Sequence, residues 1–98
     1  MVKLIIWTAR AKQEKKDILK YWLKRNKSNV YPKKLNILLK LEVKSIANKT
    51  IPRKKTDYGD AFVKIVRDYL IIFEEDNSII YILSIWDTRQ DPKKLKTK

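Results

Sequence analysis

The sequence predicts an α+β fold in the order β-α-α-β-β-β, an antiparallel meander sheet with a helical hairpin packed on one face. Three observations predict it. A short opening rich in β-branched and aromatic residues precedes two stretches with apolar side chains at helical spacing. Three apolar runs then follow in close order from Phe62 onward. The turns between those runs are so short that they join only antiparallel neighbours. Helices gathered before a run of strands point to a sheet with its helices on one side.

Each element has its own signal. Lys3–Trp7 reads as a short strand. Thr8 is placed to cap the helix after it, because its hydroxyl accepts from an orphan backbone N–H. That helix is expected from Ala9 to about Arg25, with Ala11, Ile18 and Trp22 near helical spacing and Leu19 and Tyr21 beside them. Lysines 12, 15, 16, 20 and 24 fill the remainder. Asn26–Asn29 is a polar break. A second helix should start near Tyr31-Pro32, since proline suits a first turn. Its stripe is Leu35, Leu38, Leu39, Val43 and Ile46, widened by Ile37 and Leu41, for which a core position is expected and contact with a partner is the alternative. A short break between two helices gives an antiparallel hairpin. Asn48–Asp60 reads as a long loop carrying Pro52, Gly59 and the basic run Arg53-Lys54-Lys55. Phe62–Arg67, Tyr69–Glu74 and Ile79–Trp86 are the three closing strands. Trp7, Trp22 and Trp86 are expected in the core, with a stacking platform for bases as the rival reading.

Composition narrows the function classes. Ninety-eight residues suit one core, so residues 1–98 form a single domain. A chain that is 44% hydrophobic and 36% charged is a folded globule with a charged surface. With no cysteine and no histidine, disulfides, thiolate chemistry and the commonest metal ligand are excluded, and neither metal nor cofactor is expected. No apolar run has the length of a membrane span, and the apolar start is too short for a signal peptide, so the expected compartment is the cytoplasm.

The net charge is +13, and it is unevenly spread. Residues 1–56 hold 17 Lys/Arg against 3 acids, while residues 57–98 hold 7 against 8. Such asymmetry points to a partner bearing phosphates or a strongly acidic surface; the plain alternative is a solvated basic face. The final strand runs into Asp87-Thr88-Arg89-Gln90-Asp91-Pro92, so it delivers Arg89 at its end. A guanidinium is a planar fork of donors suited to phosphate or carboxylate. Pairing of Arg89 with Asp87 or Asp91 is the structural alternative. Arg53, Lys54 and Lys55 suit contacts to a nucleic-acid backbone, which position without reading sequence; a solvated loop is the rival reading.

Four stretches carry a resemblance that spans nearly the whole chain. They are Trp7-Thr8-Ala9-Arg10-Ala11, Ile18-Leu19-Lys20-Tyr21-Trp22 with Asn26-Lys27-Ser28, the segment from Val63 to Phe73 through Arg67-Asp68-Tyr69, and Ile85-Trp86-Asp87-Thr88-Arg89-Gln90-Asp91-Pro92. In that order the chain resembles the RelE/ParE superfamily of toxins from type II toxin–antitoxin modules. The resemblance implies the α+β fold and a cognate antitoxin that wraps the toxin into a hetero-oligomer. It implies two activities. RelE-like members are endoribonucleases that cleave mRNA on the ribosome and arrest translation; ParE-like members inhibit DNA gyrase and cleave nothing. A degenerate basic binding domain without toxicity is a third reading.

Metal-independent RNA cleavage activates a 2′-hydroxyl, stabilises charge on the phosphate and protonates the leaving oxygen. Without histidine the proton transfers fall to Lys, Tyr, Asp or Glu. By position, Arg67 and Arg89 match the family's basic residues, with Lys64 a looser match, and the three are the expected catalytic set, acting electrostatically. For Arg67 the bland reading is a solvated hairpin residue. The sequence departs from the nuclease pattern at Leu70, where many nuclease members carry Arg, and at its Leu95–Lys98 end, which has no tyrosine. Tyr58 or Tyr81 would have to substitute. RNA-binding translation inhibition is the leading expectation, with gyrase inhibition the alternative.

Overall fold

A computed structural model describes residues 3–48, 54–55, 59 and 61–88, with residues 54–55 described in backbone only. The elements are β1 (Leu4–Trp7), α1 (Ala9–Asn26), α2 (Val30–Ala47), β2 (Lys54–Lys55), β3 (Phe62–Val66), β4 (Tyr69–Glu75) and β5 (Ile79–Asp87). They build one five-stranded sheet in the order β1-β5-β4-β3-β2. The closing strands form the expected antiparallel meander. Two features depart from it. β1 pairs parallel with β5, Leu4 opposite Ile79 and Trp7 opposite Ile82, so the sheet is mixed. The basic stretch read as loop contributes β2, which lies antiparallel on β3 with Lys54 opposite Val63. Lysines on an edge strand discourage pairing with another chain.

The helices start and stop where local chemistry dictates. The Thr8 hydroxyl accepts from the N–H of Ala11 at 3.2 Å, capping α1, and donates to the Ile82 carbonyl at 2.9 Å, which ties the cap to the sheet. α1 ends at Lys27, whose left-handed φ of 50° breaks the helical path. Leu35, Leu39, Val43 and Ile46 of α2 are all at most 2% exposed. They pack with Ala11, Tyr69, Ile71, Phe73, Ile80, Ile82 and Ile85 into the main core beneath the helical hairpin. Ile37 and Leu41 do not join it. They are 58% and 56% exposed, because they lie outside the arc of α2 that faces the sheet.

A second, smaller cluster occupies the other face of the sheet: Ala61, Ile72 and Trp86, with Val63, Leu70 and Leu83 against them. A shift in register separates the two halves of β5. Ile72 pairs with Ser84 and Phe73 with Ile82, leaving Leu83 as the extra residue of a bulge. The bulge changes the phase of the alternation, so that Ile80, Ile82 and Ile85 all reach the main core while Leu83 and Trp86 join the other cluster. Trp7 and Trp22 pack half-buried against the main core.

β5 is longer than β1, and α1 covers the difference. Past Trp7 no strand among the described residues lies beside the edge of β5. Glu14 reaches down from α1, and its Oε1 accepts from the Ser84 hydroxyl at 2.8 Å and from the Ile85 N–H at 3.2 Å. A carboxylate thus takes the place of a strand's carbonyl.

Candidate functional site

The β3–β4 connection fixes the position of Arg67. Val66 pairs with Tyr69, so Arg67 and Asp68 alone make the turn. Hairpin turns of two residues require positive φ at the first of them, which favours glycine or asparagine. Arg67 nevertheless adopts φ 56°, a conformation that disfavours a residue with a Cβ by about 1–2 kcal/mol.

The same turn receives the end of β5. Asp87 pairs with Tyr69. Thr88 donates its N–H to the Asp68 carbonyl at 2.8 Å and its hydroxyl to the same oxygen at 2.9 Å. The backbone preceding Arg89 is therefore clamped to the turn that carries Arg67. Arg89 itself lies outside the described residues, as do Arg53 and Tyr58, and so do the side chains of Lys54 and Lys55.

Lys64 has a different environment. Its Nζ lies 3.6 Å from Glu42 Oε1, with both side chains 29% exposed. It bridges β3 to α2 as a half-exposed ion pair. Tyr81 pairs with Glu74 in the sheet, six residues along β5 from Asp87. At about 3.3 Å per residue that is roughly 20 Å from the Arg67 turn, so this tyrosine does not serve it.

A cleft of about 230 Å3 opens between the Arg67 turn and the start of α2, lined by Tyr31, Lys34, Leu35, Leu38 and Arg67. Its aromatic wall is braced. The Tyr31 ring meets Trp22 edge-to-face with centroids 4.9 Å apart. The Trp22 indole N–H in turn donates to the Tyr69 hydroxyl at 2.7 Å. Two cations and a phenol thus share one cleft over a leucine floor. Neither Lys34 nor Arg67 has a carboxylate partner among the described residues. Tyr31 and Lys34 were not legible as site residues. In the sequence they are the first turn of an amphipathic helix, and nothing local joins them to a hairpin more than thirty residues away.

A second cleft, about 240 Å3, lies between α1 and β5, lined by Glu14, Asp17, Ile18, Ile85, Trp86 and Asp87. Its acids are engaged: Glu14 with β5 and with Arg10 at 3.3 Å, and Asp17 with Gln13 at 2.8 Å. Among the described residues no group of three or more acids is arranged to hold a metal ion.

A family model described as the ParE toxin of the type II toxin–antitoxin system parDE matches residues 5–92. Among solved structures, a chain from "Chromosomal ParDE TA system from P. aeruginosa" superposes with a TM-score of 0.78. The match covers 90% of this chain and 98% of that one at 13% identity, which establishes the shared fold. No curated protein matches the sequence.

Proposed function

This chain belongs to the ParE toxin family of type II toxin–antitoxin systems, and on that premise we propose that it arrests growth by binding and inhibiting DNA gyrase until a cognate antitoxin covers it. The observation that carries the choice is the Lys64–Glu42 pair. A nuclease built on Arg67 needs a proton-transfer group beside its phosphate clamp. Lys64 stands in an ion pair on α2 instead, and Leu70 occupies the position where many nuclease relatives carry a second arginine. What gathers at Arg67 is binding chemistry, cations and an aromatic wall over leucines.

One observation favours ribosome-dependent mRNA cleavage as the second reading. Tyr31 places a phenol in the Arg67 cleft, a tyrosine other than the two, Tyr58 and Tyr81, that the sequence offered. A phenol serves as a general acid when a neighbouring cation stabilises its anion.

The antitoxin partner follows from the family. The exposed apolar side chains of the helical hairpin, Tyr21, Leu23, Val30, Ile37 and Leu41, are the surface it would cover in a toxin–antitoxin hetero-oligomer. A cytoplasmic location belongs to the same proposal, since gyrase and its DNA lie there. No helix among the described residues is long and apolar enough to cross a membrane.

The test is a gyrase supercoiling assay run beside a ribosome-dependent mRNA cleavage assay. Inhibited supercoiling with intact message is expected. Cleaved message with normal supercoiling overturns the proposal in favour of the nuclease, and neither effect would mark a non-toxic binding domain. In the toxic case, replacing both Arg67 and Arg89 by Ala should relieve growth arrest while the protein stays folded.

A further inference from the structure

We propose that the Tyr31–Lys34–Arg67 cleft is a binding site for a small phosphomonoester, a dianionic phosphate carried on a compact apolar or aromatic group. Charge, shape and backbone each support it. The two cations come from separate elements, α2 and the β3–β4 turn, and face one cleft without a carboxylate among the described residues to neutralise them. A lone carboxylate would be satisfied by the arginine fork. A phosphate dianion has oxygens enough for the guanidinium, the ammonium and the Tyr31 hydroxyl together.

The start of α2 adds to the field. Its first turn holds no acidic residue, and Asn29 makes no side-chain cap bond. The Ser28 hydroxyl accepts from the Val30 N–H at 3.2 Å, but no acidic side chain offsets the positive end of the helix beside Tyr31 and Lys34. Leu35 and Leu38 floor the cleft, and its volume of about 230 Å3 is many times what one water occupies. A bare phosphate would leave that apolar surface wet, whereas a small ring against Tyr31 and the leucines would cover it.

The backbone of Arg67 is the independent sign. A glycine would relax the turn, yet an arginine holds it at φ 56°. Strain of this kind clusters at binding sites and persists where the surrounding structure fixes it, as the two Thr88 bonds to the Asp68 carbonyl do here. The cleft is the same binding surface that supports the proposed activity, but the titration contains neither gyrase nor RNA, so either reading can fail while the other holds.

The experiment titrates the purified protein with phenyl phosphate by calorimetry at low salt. Arg67→Gly is the informative variant. It removes the guanidinium and relieves the turn, so it should melt no lower than the parent while its affinity falls tenfold or more. Lys34→Gln should lose affinity to a similar extent and Tyr31→Phe several-fold. Binding should weaken as the pH falls below about 6, where the dianion takes up a proton. Inorganic phosphate should bind more weakly than phenyl phosphate, and benzoate more weakly again. Lys12→Gln removes one exposed charge of α1 that does not line the cleft, and it should bind like the parent. Equal losses in Lys12→Gln and Lys34→Gln would reduce the effect to net charge and overturn the site. So would an Arg67→Gly protein that binds as well as the parent. Phosphate binding as tightly as phenyl phosphate would overturn the apolar half of the assignment.

Discussion

Replacing Glu14 tests how the sheet is closed at its edge. The Glu14 carboxylate accepts from the Ser84 hydroxyl, on a residue with no solvent exposure, and from the backbone N–H of Ile85. Glu14→Ala would leave both donors unpaired. Each buried donor without a partner costs about 1–3 kcal/mol. The side chain of Glu14 is itself 22% exposed, so water will reach part of the gap and the sum should fall short of the maximum. We expect a loss of about 2–4 kcal/mol, a large share of the roughly 5–15 kcal/mol that holds a domain folded. The exposed Arg10–Glu14 pair contributes about 0.3 kcal/mol of this and no more. Urea unfolding is the assay. With a slope near 1.5 kcal/mol per molar, a 3 kcal/mol loss moves the midpoint by about 2 M. Glu14→Gln keeps an acceptor oxygen and loses the charge, so it should fall between the parent and Ala. The reasoning is refuted if Glu14→Ala stays within about 0.5 kcal/mol of the parent. It is also refuted if Gln is as damaging as Ala, since charge rather than the acceptor would then be the cause.

Two further predictions follow from perturbed ionisations. The N–H groups of Ser78 and Ile79 bond the Asp76 carboxylate at 2.8 and 2.7 Å and hold its pKa below the usual carboxylate range, with Lys3 adding a smaller effect. A carboxyl depressed in the fold stabilises it fully above its unfolded pKa and loses that contribution as the pH falls through the folded value. Asp76→Asn should therefore flatten the acid limb of stability, seen as a gap from the parent at neutral pH that closes below about pH 4; a constant gap would contradict the reasoning. Lys15 sits over the Trp7 ring at 4.8 Å, and burial first, then the charge of Lys40, push its pKa down. Below the folded pKa the charged amine is a penalty, which is relieved as the pH rises toward the unfolded value. Lys40→Glu should remove the repulsion and raise stability by a few tenths of a kcal/mol in thermal melts at low salt, and the gain should fade near 1 M salt. A lower melting temperature would count against the pairing.

The elements with strong local signals were legible in the sequence. The Thr8 cap, the two helices and the hairpin strands lie within a residue or two of where periodicity and turn chemistry put them. Lys54–Lys55 was not legible as a strand, because two lysines beside a proline-containing loop carry no β pattern, and β3 alone draws them into register. Ile37 and Leu41 read as core because hydrophobicity reports the wish to be buried without saying whether a surface is there to receive it. Arg67 was legible as a candidate from the family pattern. Its cleft was not, since Tyr31 and Lys34 come from another element.

By itself, the sequence determined the order of elements, the basic first half, the absence of thiol and imidazole chemistry, and the toxin superfamily. The first three follow from composition and from short-range periodicity, which are properties of neighbouring residues; the superfamily follows from the resemblance of four stretches to a known family. Tertiary structure alone decided which face each apolar residue of β5 serves, since in an almost continuous apolar run a single bulge at Leu83 resets the alternation. It also decided that Glu14 closes a sheet edge, that Lys64 pairs with Glu42, and that Tyr31 and Lys34 meet Arg67. Each of these joins residues more than twenty positions apart. Such contacts exist only after the hairpin of helices has docked on the sheet, and no local propensity records where that docking will bring them.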